Sequence, residues 1–187
     1  MGRYLGPLRE SSSASQQNTG EASGAVTARS PQQPWTDLLV ALHSEVRRVV
    51  QGCDRGAAGR TNAKGDDVRL FDLAANAAAI DVLKDAPVAL VIDSEESAPL
   101  EVGPGRPRHR LVLDPVDGSD NWARGLPLSA LSCAVLPIDA PLHPDSVEAA
   151  MVGPLEEEPP LIALKGSGAW RGSTRLAVSG CGASRMP

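Results

Sequence analysis

Residues 111–127 read LVLDPVDGSDNWARGLP. An apolar run ends in two carboxylates three positions apart, Asp114 and Asp117, with Pro115 stiffening the link and Gly118-Ser119 following at once. A strand stopping at an acidic turn and feeding a polar, helix-like segment puts charged oxygens beside free backbone N–H groups. Carboxylates attract a hard cation and N–H groups attract an anion. The stretch therefore predicts a metal-assisted phosphate site.

Two competing motifs fail on spacing. An EF-hand loop needs its first acidic ligand five residues before the glycine, and for Gly118 that residue is Leu113. An aspartyl phosphotransferase places its two acids two apart after the strand, whereas DPVDG places them three apart.

Outward from this stretch, the chain shows two further apolar segments bounded by acids. PVALVID (87–93) reads as a short buried strand and runs into Ser94-Glu95-Glu96-Ser97. Before it, a helix is expected from about Asp72 to Lys84, with Leu73, Ala77, Ile80 and Leu83 on its inner face and Asp72 at its start, where helix capping alone would account for it. An earlier helix over residues 34–52 carries the stripe Trp35, Leu38, Leu39, Leu42, Val46, Val49 and Val50, a core face with no chemistry in it. Residues 56–68 read as a glycine-rich connection and 98–108 as a loop. After the central strand (109–113), apolar runs at 129–138, 147–152 and 161–164 are separated by turn residues, as in an antiparallel sheet, and 165–170 with 175–179 form a last hairpin. Two helices followed by strands predict an α+β layer arrangement. Residues 1–33, rich in Ser, Gln, Gly, Ala and Thr, are expected to be a disordered tail, with an organellar transit peptide as the alternative.

Composition removes several function classes. The net charge is −5 and the basic residues are scattered, against a nucleic-acid or anionic-membrane partner. No apolar run reaches the roughly 18 residues of a membrane span, and the start lacks a secretory core, so a cytoplasmic protein is expected. Cys53, Cys133 and Cys181 are widely spaced, fitting reduced thiols over a zinc site or a disulfide frame. His43, His109 and His143 are isolated and read as surface or capping groups.

If sheet order brings the acidic ends together, Asp72, Glu95, Asp114 and Asp117 share one cleft, and their repulsion requires a divalent cation. Oxygen ligation favours Mg²⁺ or Mn²⁺ over zinc.

DPVDGSDNWARGLP resembles the signature of the inositol monophosphatase and fructose-1,6-bisphosphatase superfamily, the lithium-sensitive, magnesium-dependent phosphatases. Asp72 six residues after Asp66, the SEES stretch, and GSGAWRGSTRLAVS near the end resemble its other segments in order and spacing. The resemblance implies a layered αβαβα sugar-phosphatase fold, of which residues 34–187 would form the N-terminal half: two helices packed on an antiparallel sheet. Nothing matches the family's Trp-Asp-x-Ala-x-Gly motif, so the second α/β half is expected to be missing, leaving a sheet edge and an apolar surface exposed.

The same resemblance implies roles. Glu95 and Asp114 would hold a first metal with the carbonyl of Val116, and Asp114 and Asp117 a second. Two or three Mg²⁺ ions are implied, with Mn²⁺ as a substitute. Asp72 and Ser119 would orient and deprotonate the attacking water. The N–H groups of Gly118 and Ser119 would hold the phosphate. The reaction would be direct hydrolysis of an inositol or sugar phosphomonoester, weak or absent in a half-length chain; a non-catalytic module that binds metal or a partner is the alternative, and a homodimer is admitted. Asp120 departs from the pattern, because a carboxylate beside a bound phosphate is unfavourable.

Overall fold

The computed structural model describes residues 33–61, 67–156 and 159–178. The expected tail, apart from Gln33, and Asp66 lie outside the described residues. The elements in order are α1 (Gln33–Gln51), β1 (Ala57–Thr61), β2 (Asp67–Arg69), α2 (Leu70–Lys84), β3 (Leu90–Ser94), β4 (Leu100–Val102), β5 (His109–Asp117), α3 (Ser119–Ala123), β6 (Ala130–Pro137), β7 (Ala149–Pro154), β8 (Leu161–Leu164), β9 (Gly168–Arg171) and β10 (Thr174–Arg175). One turn of 3₁₀ helix, Pro144–Ser146, precedes β7.

Strands β3 to β10 form one eight-stranded sheet in the order β10-β9-β8-β7-β6-β5-β3-β4, and β1 and β2 pair as a separate hairpin. The fold is α+β, as the order of sequence patterns predicts. The sheet is antiparallel with one exception: β3 and β5 run parallel, Leu90 opposite His109 through Ser94 opposite Leu113. That exception matters for the site, because parallel neighbours end at the same edge of the sheet. The return from β3 to the start of β5 is made through β4, which pairs antiparallel to β3 at the sheet edge. The stretch read as a loop at 98–108 therefore contains a strand, and the connection read at 56–68 contains the hairpin β1–β2. Both were hidden because strands of three to five residues around Gly and charge carry too few alternations to reveal a period.

Helices α1 and α2 pack on each other and on one face of the sheet. The α1 stripe is core: Leu39, Leu42, Val46 and Val50 are fully buried, and Trp35 and Leu38 nearly so. Trp35 meets His109 of β5 edge to face, with ring centroids 5.0 Å apart. Close approach of α1 to β7 depends on Gly153: a Cβ there would lie 2.3 Å from Cδ2 of His43. His43 is buried, with Nε2 2.7 Å from the Pro154 carbonyl oxygen, so it is a core residue and not the surface or capping group expected. Burial is also the main cause lowering its pKa. The α2 inner face differs from the expected set as well. Phe71, Ala75, Ala78, Ala79 and Leu83 are buried, while Ala77 is exposed and Leu73 and Ile80 only half-buried. An alanine-rich helix has an almost uniform apolar surface, so position in the fold chooses the face.

The inner face of the sheet presents Leu111, Leu113, Leu131, Cys133, Val135 and Met151 to these helices. Burial pushes the Cys133 thiol pKa up to about 12, as suits a core thiol with no chemistry. Val112, Ala134, Ala150 and Val152 alternate onto the opposite face, which is half-buried to exposed among the described residues. No helix among those described is long and apolar enough to cross a membrane.

Candidate active site

The acidic segments meet at one end of the sheet because of the parallel pair. Glu95 follows β3 directly, and its N–H donates to the carbonyl of Leu113 at 3.0 Å, which sets it beside Asp114 on β5. The strand does not stop at Asp114, as the sequence suggests, but continues to Asp117 through an irregularity. Asp114 lies opposite Ser132 and Asp117 opposite Ala130, so three steps along β5 match two along β6. One extra residue is thus inserted, and Pro115, which has no N–H to donate, falls within this bulge. The consequence is chemical. In a regular strand residues three apart point to opposite faces, but the bulge restores Asp114 and Asp117 to one face, that of Ser132 and Ala130. The Val116 N–H closes the turn onto Oδ1 of Asp114 at 3.1 Å.

After the bulge, Gly118 adopts φ 85° and ψ 39°, which turns the chain into α3. The carbonyl of Gly118 accepts from the N–H groups of Asn121 and Trp122 at 2.9 and 3.0 Å and from Ser129 Oγ at 2.9 Å. Among the described residues the N–H groups of Gly118 and Ser119 donate in none of the turn, loop and cap backbone hydrogen bonds. Ser119 Oγ lies 2.8 Å from Oδ1 of Asp72 and 2.9 Å from the Val116 carbonyl oxygen, so its single proton has two acceptors within reach.

Asp72 makes two contacts, one with each carboxylate oxygen. Its Oδ2 accepts from the Arg69 N–H at 3.1 Å, capping the first turn of α2, while Oδ1 receives the serine hydroxyl. Only 4 % of this residue is exposed. Burial raises its pKa above the ordinary carboxylate value, and the bonds from Ser119 and Arg69 pull it back. The neighbouring Asn76 is buried one turn on, where Ser94 Oγ at the end of β3 donates to its Oδ1 at 2.7 Å. This bond ties α2 to the strand that delivers Glu95; a lone Asn in an alanine-rich helix was the available signal.

Asp114 carries the strongest perturbation. Burial, then the charge of Glu95 and a hydrogen bond with it, raise its pKa to about 7, with Asp117 adding repulsion and the Val116 N–H opposing. Glu95 and Asp114 line a cleft of about 520 Å³ on the open face of the sheet, with Val112, Ser132, Ala134 and Val152 along its floor. Among the described residues no group of three or more His, Cys, Asp or Glu side chains is gathered to enclose a metal ion. The donor set nevertheless suits a hard divalent cation. It is all oxygen, and the Asp114 carboxyl is raised by burial and then by the like charge of Glu95, which a cation would offset.

All seven residues singled out in the sequence (Asp72, Glu95, Asp114, Val116, Asp117, Gly118 and Ser119) thus lie along one continuous path of contacts from α2 through the ends of β3 and β5 to α3. Asp120 turns away toward Arg69 and Arg124 at 3.3 and 3.4 Å.

No protein-family model matches the chain. A fructose-1,6-bisphosphatase/inositol-1-monophosphatase of Methanothermobacter thermautotrophicus is 32 % identical over 117 residues, covering 59 % of this chain and 40 % of the relative. In structure, the extragenic suppressor protein suhB of Bartonella henselae superimposes with a TM-score of 0.64 at 25 % identity, over 78 % of this chain and 54 % of the other. In sequence and in fold the chain is similar to the inositol monophosphatase and fructose-1,6-bisphosphatase superfamily. A class 1 fructose-1,6-bisphosphatase of Azorhizobium caulinodans is 32 % identical over 90 residues, 48 % of this chain and 27 % of that enzyme. The IMPase of Thermotoga maritima shares the fold at 24 % identity, with a TM-score of 0.61 over 78 % of this chain and 54 % of that one. The chain thus spans about half the length of the superfamily structures it matches and less of the matched sequences.

Proposed function

We propose that this chain supplies the metal-facing and phosphate-facing side of a Mg²⁺-dependent phosphatase acting on an inositol or sugar phosphomonoester. The observation that carries the reading is the Ser119–Asp72 hydrogen bond of 2.8 Å, next to carboxylates that repel one another, in a chain similar to this superfamily. Glu95, Asp114 and the Val116 carbonyl would hold one cation, and Asp114 and Asp117 a second. A divalent ion there supplies neutralisation of phosphate charge and acidification of water.

The chain's own residues supply the rest. Ser119, donating its proton to Asp72, turns its lone pairs toward an incoming water and orients it. Proton transfer then runs from that water to Ser119 Oγ and on to Oδ1 of Asp72, whose second oxygen stays fixed by the Arg69 N–H. The N–H groups of Gly118 and Ser119 would donate to phosphate oxygens, where charge develops on attack. Water attacks phosphorus directly as the ester P–O bond breaks, and the leaving oxygen takes a proton from solvent to depart as the alcohol, with no covalent enzyme intermediate.

A second reading is a module that binds metal or a partner without turnover; among the described residues, no three carboxylates are gathered to enclose one ion and so speak against it. Phosphate release from inositol 1-phosphate and fructose 1,6-bisphosphate, measured with and without Mg²⁺, separates the two. Mg²⁺-dependent release that disappears in Asp114→Asn eliminates the non-catalytic module. If neither Mg²⁺ nor inorganic phosphate shifts the melting temperature of the chain, the phosphatase reading fails.

A further inference from the structure

The acidic residue that does not suit a phosphate site has a structural use. Asp120 presents one carboxylate oxygen to Arg69 at 3.3 Å and the other to Arg124 at 3.4 Å. Arg124 is the C-cap of the same short helix, but Arg69 is 51 residues away in sequence, at the junction of β2 and α2. Arg69 donates its backbone N–H to Asp72, and Asp120 follows Ser119, the residue that donates to the same Asp72. The Arg69–Asp120 and Asp72–Ser119 contacts are therefore parallel rungs between the same two backbone segments. On the other side of the hairpin, Arg55 lies over the Trp122 ring, 4.4 Å from its centroid, and Gly56 accepts from the Leu70 N–H at 3.3 Å. A helix of five residues has no stability of its own, so its placement comes from such contacts.

We propose that Asp120 is a positioning residue: paired with Arg69, it locks α3 to the start of α2 and so fixes the Ser119 hydroxyl on Asp72. The pairing also neutralises a carboxylate that would otherwise repel an anion at the Gly118 and Ser119 N–H groups. The use of this lock in hydrolysis rests on the phosphatase reading; the lock itself does not.

Hydrogen–deuterium exchange of the full chain tests it. Asp120→Asn keeps the shape and removes the charge, and should speed exchange of the amides from Asn121 to Gly125 about two- to five-fold, the range of a partly exposed ion pair. Amides of β6 and β7 should not change. Arg69→Gln should give the same local increase, the double substitution no more than either alone, and Asp120→Glu should restore the wild-type rate. Unchanged exchange in Asp120→Asn, additive effects of the two substitutions, or an increase spread equally over β6 and β7 would each overturn the proposal. A parallel melt with Mg²⁺ and inorganic phosphate on the wild-type chain reports on the phosphatase reading separately, so loss of that reading leaves the exchange result to decide the lock.

Discussion

Gly118→Ala puts the geometry of the site at risk in a way that can be calculated from two glycines. At Gly118 two penalties coincide. The backbone sits at φ +85°, where an L side chain is disfavoured by about 1–2 kcal/mol. The added Cβ would also lie 2.7 Å from the Leu128 carbonyl oxygen and 3.3 Å from Asn121 Nδ2. Neither neighbour can withdraw freely, because Asn121 Nδ2 donates to that same carbonyl at 3.0 Å and Ser129 Oγ holds the Gly118 carbonyl at 2.9 Å. Forcing a methyl into such a space costs about 1–3 kcal/mol more. At roughly 2–4 °C per kcal/mol for a chain of this size, the melting temperature should fall by about 4–20 °C. Gly105 is the control: its φ is +87°, but a Cβ there meets nothing within 4 Å. Gly105→Ala should therefore show only the dihedral cost, a fall of about 2–8 °C. Because the turn at Gly118 aims Ser119 at Asp72, the same substitution should reduce any Mg²⁺-dependent phosphate release about 100-fold, the usual consequence of a displacement near 1 Å. The assay is paired thermal melts of the two variants. If Gly118→Ala melts within a degree of Gly105→Ala, the collision with Leu128 does not exist and the description of the turn is wrong.

Further expectations concern charge and packing. Asp114 is raised to about 7, above its unfolded value, so its contribution to stability is present at acid pH and lost as pH rises from about 4 to about 7. Asp114→Asn should accordingly raise the melting temperature of the metal-free chain at pH 8 by a few degrees, about 1–2 kcal/mol once solvent access is allowed for, with no gain at pH 4; a pH-independent effect would refute this account. Gly153→Ala should destabilise through collision with His43, and His43→Ala combined with it should cost less than the two losses added, read from a double-mutant cycle of melts. His43 is lowered by burial, so stability should fall as pH drops below about 6.5 as the unfolded chain takes up a proton first, and His43→Gln should flatten that slope. Ser119→Ala should leave the fold intact and abolish turnover in any preparation that shows it, with Mg²⁺ affinity measured by calorimetry little changed.

Much of this protein is written locally in the chain. The apolar stripe of α1 repeats at helical spacing, and DPVDGS marks itself by placing acids, a proline and a glycine where a strand ends, so the two long helices, the longer strands and the candidate site residues can be named before any contact is known. Other features have no local signature. The parallel pairing of β3 with β5 brings Glu95 to Asp114, and the bulge at Pro115 turns Asp114 and Asp117 to one face; both depend on register between strands distant in sequence. The burial of His43 depends on a glycine 110 residues away, and the use of Asp120 on an arginine 51 residues away. Periodicity and turn chemistry are properties of consecutive residues, and they reveal which segments will order. Which side chains then share a charge, a proton or a cavity is set by packing between segments, where a single residue of register reverses every face.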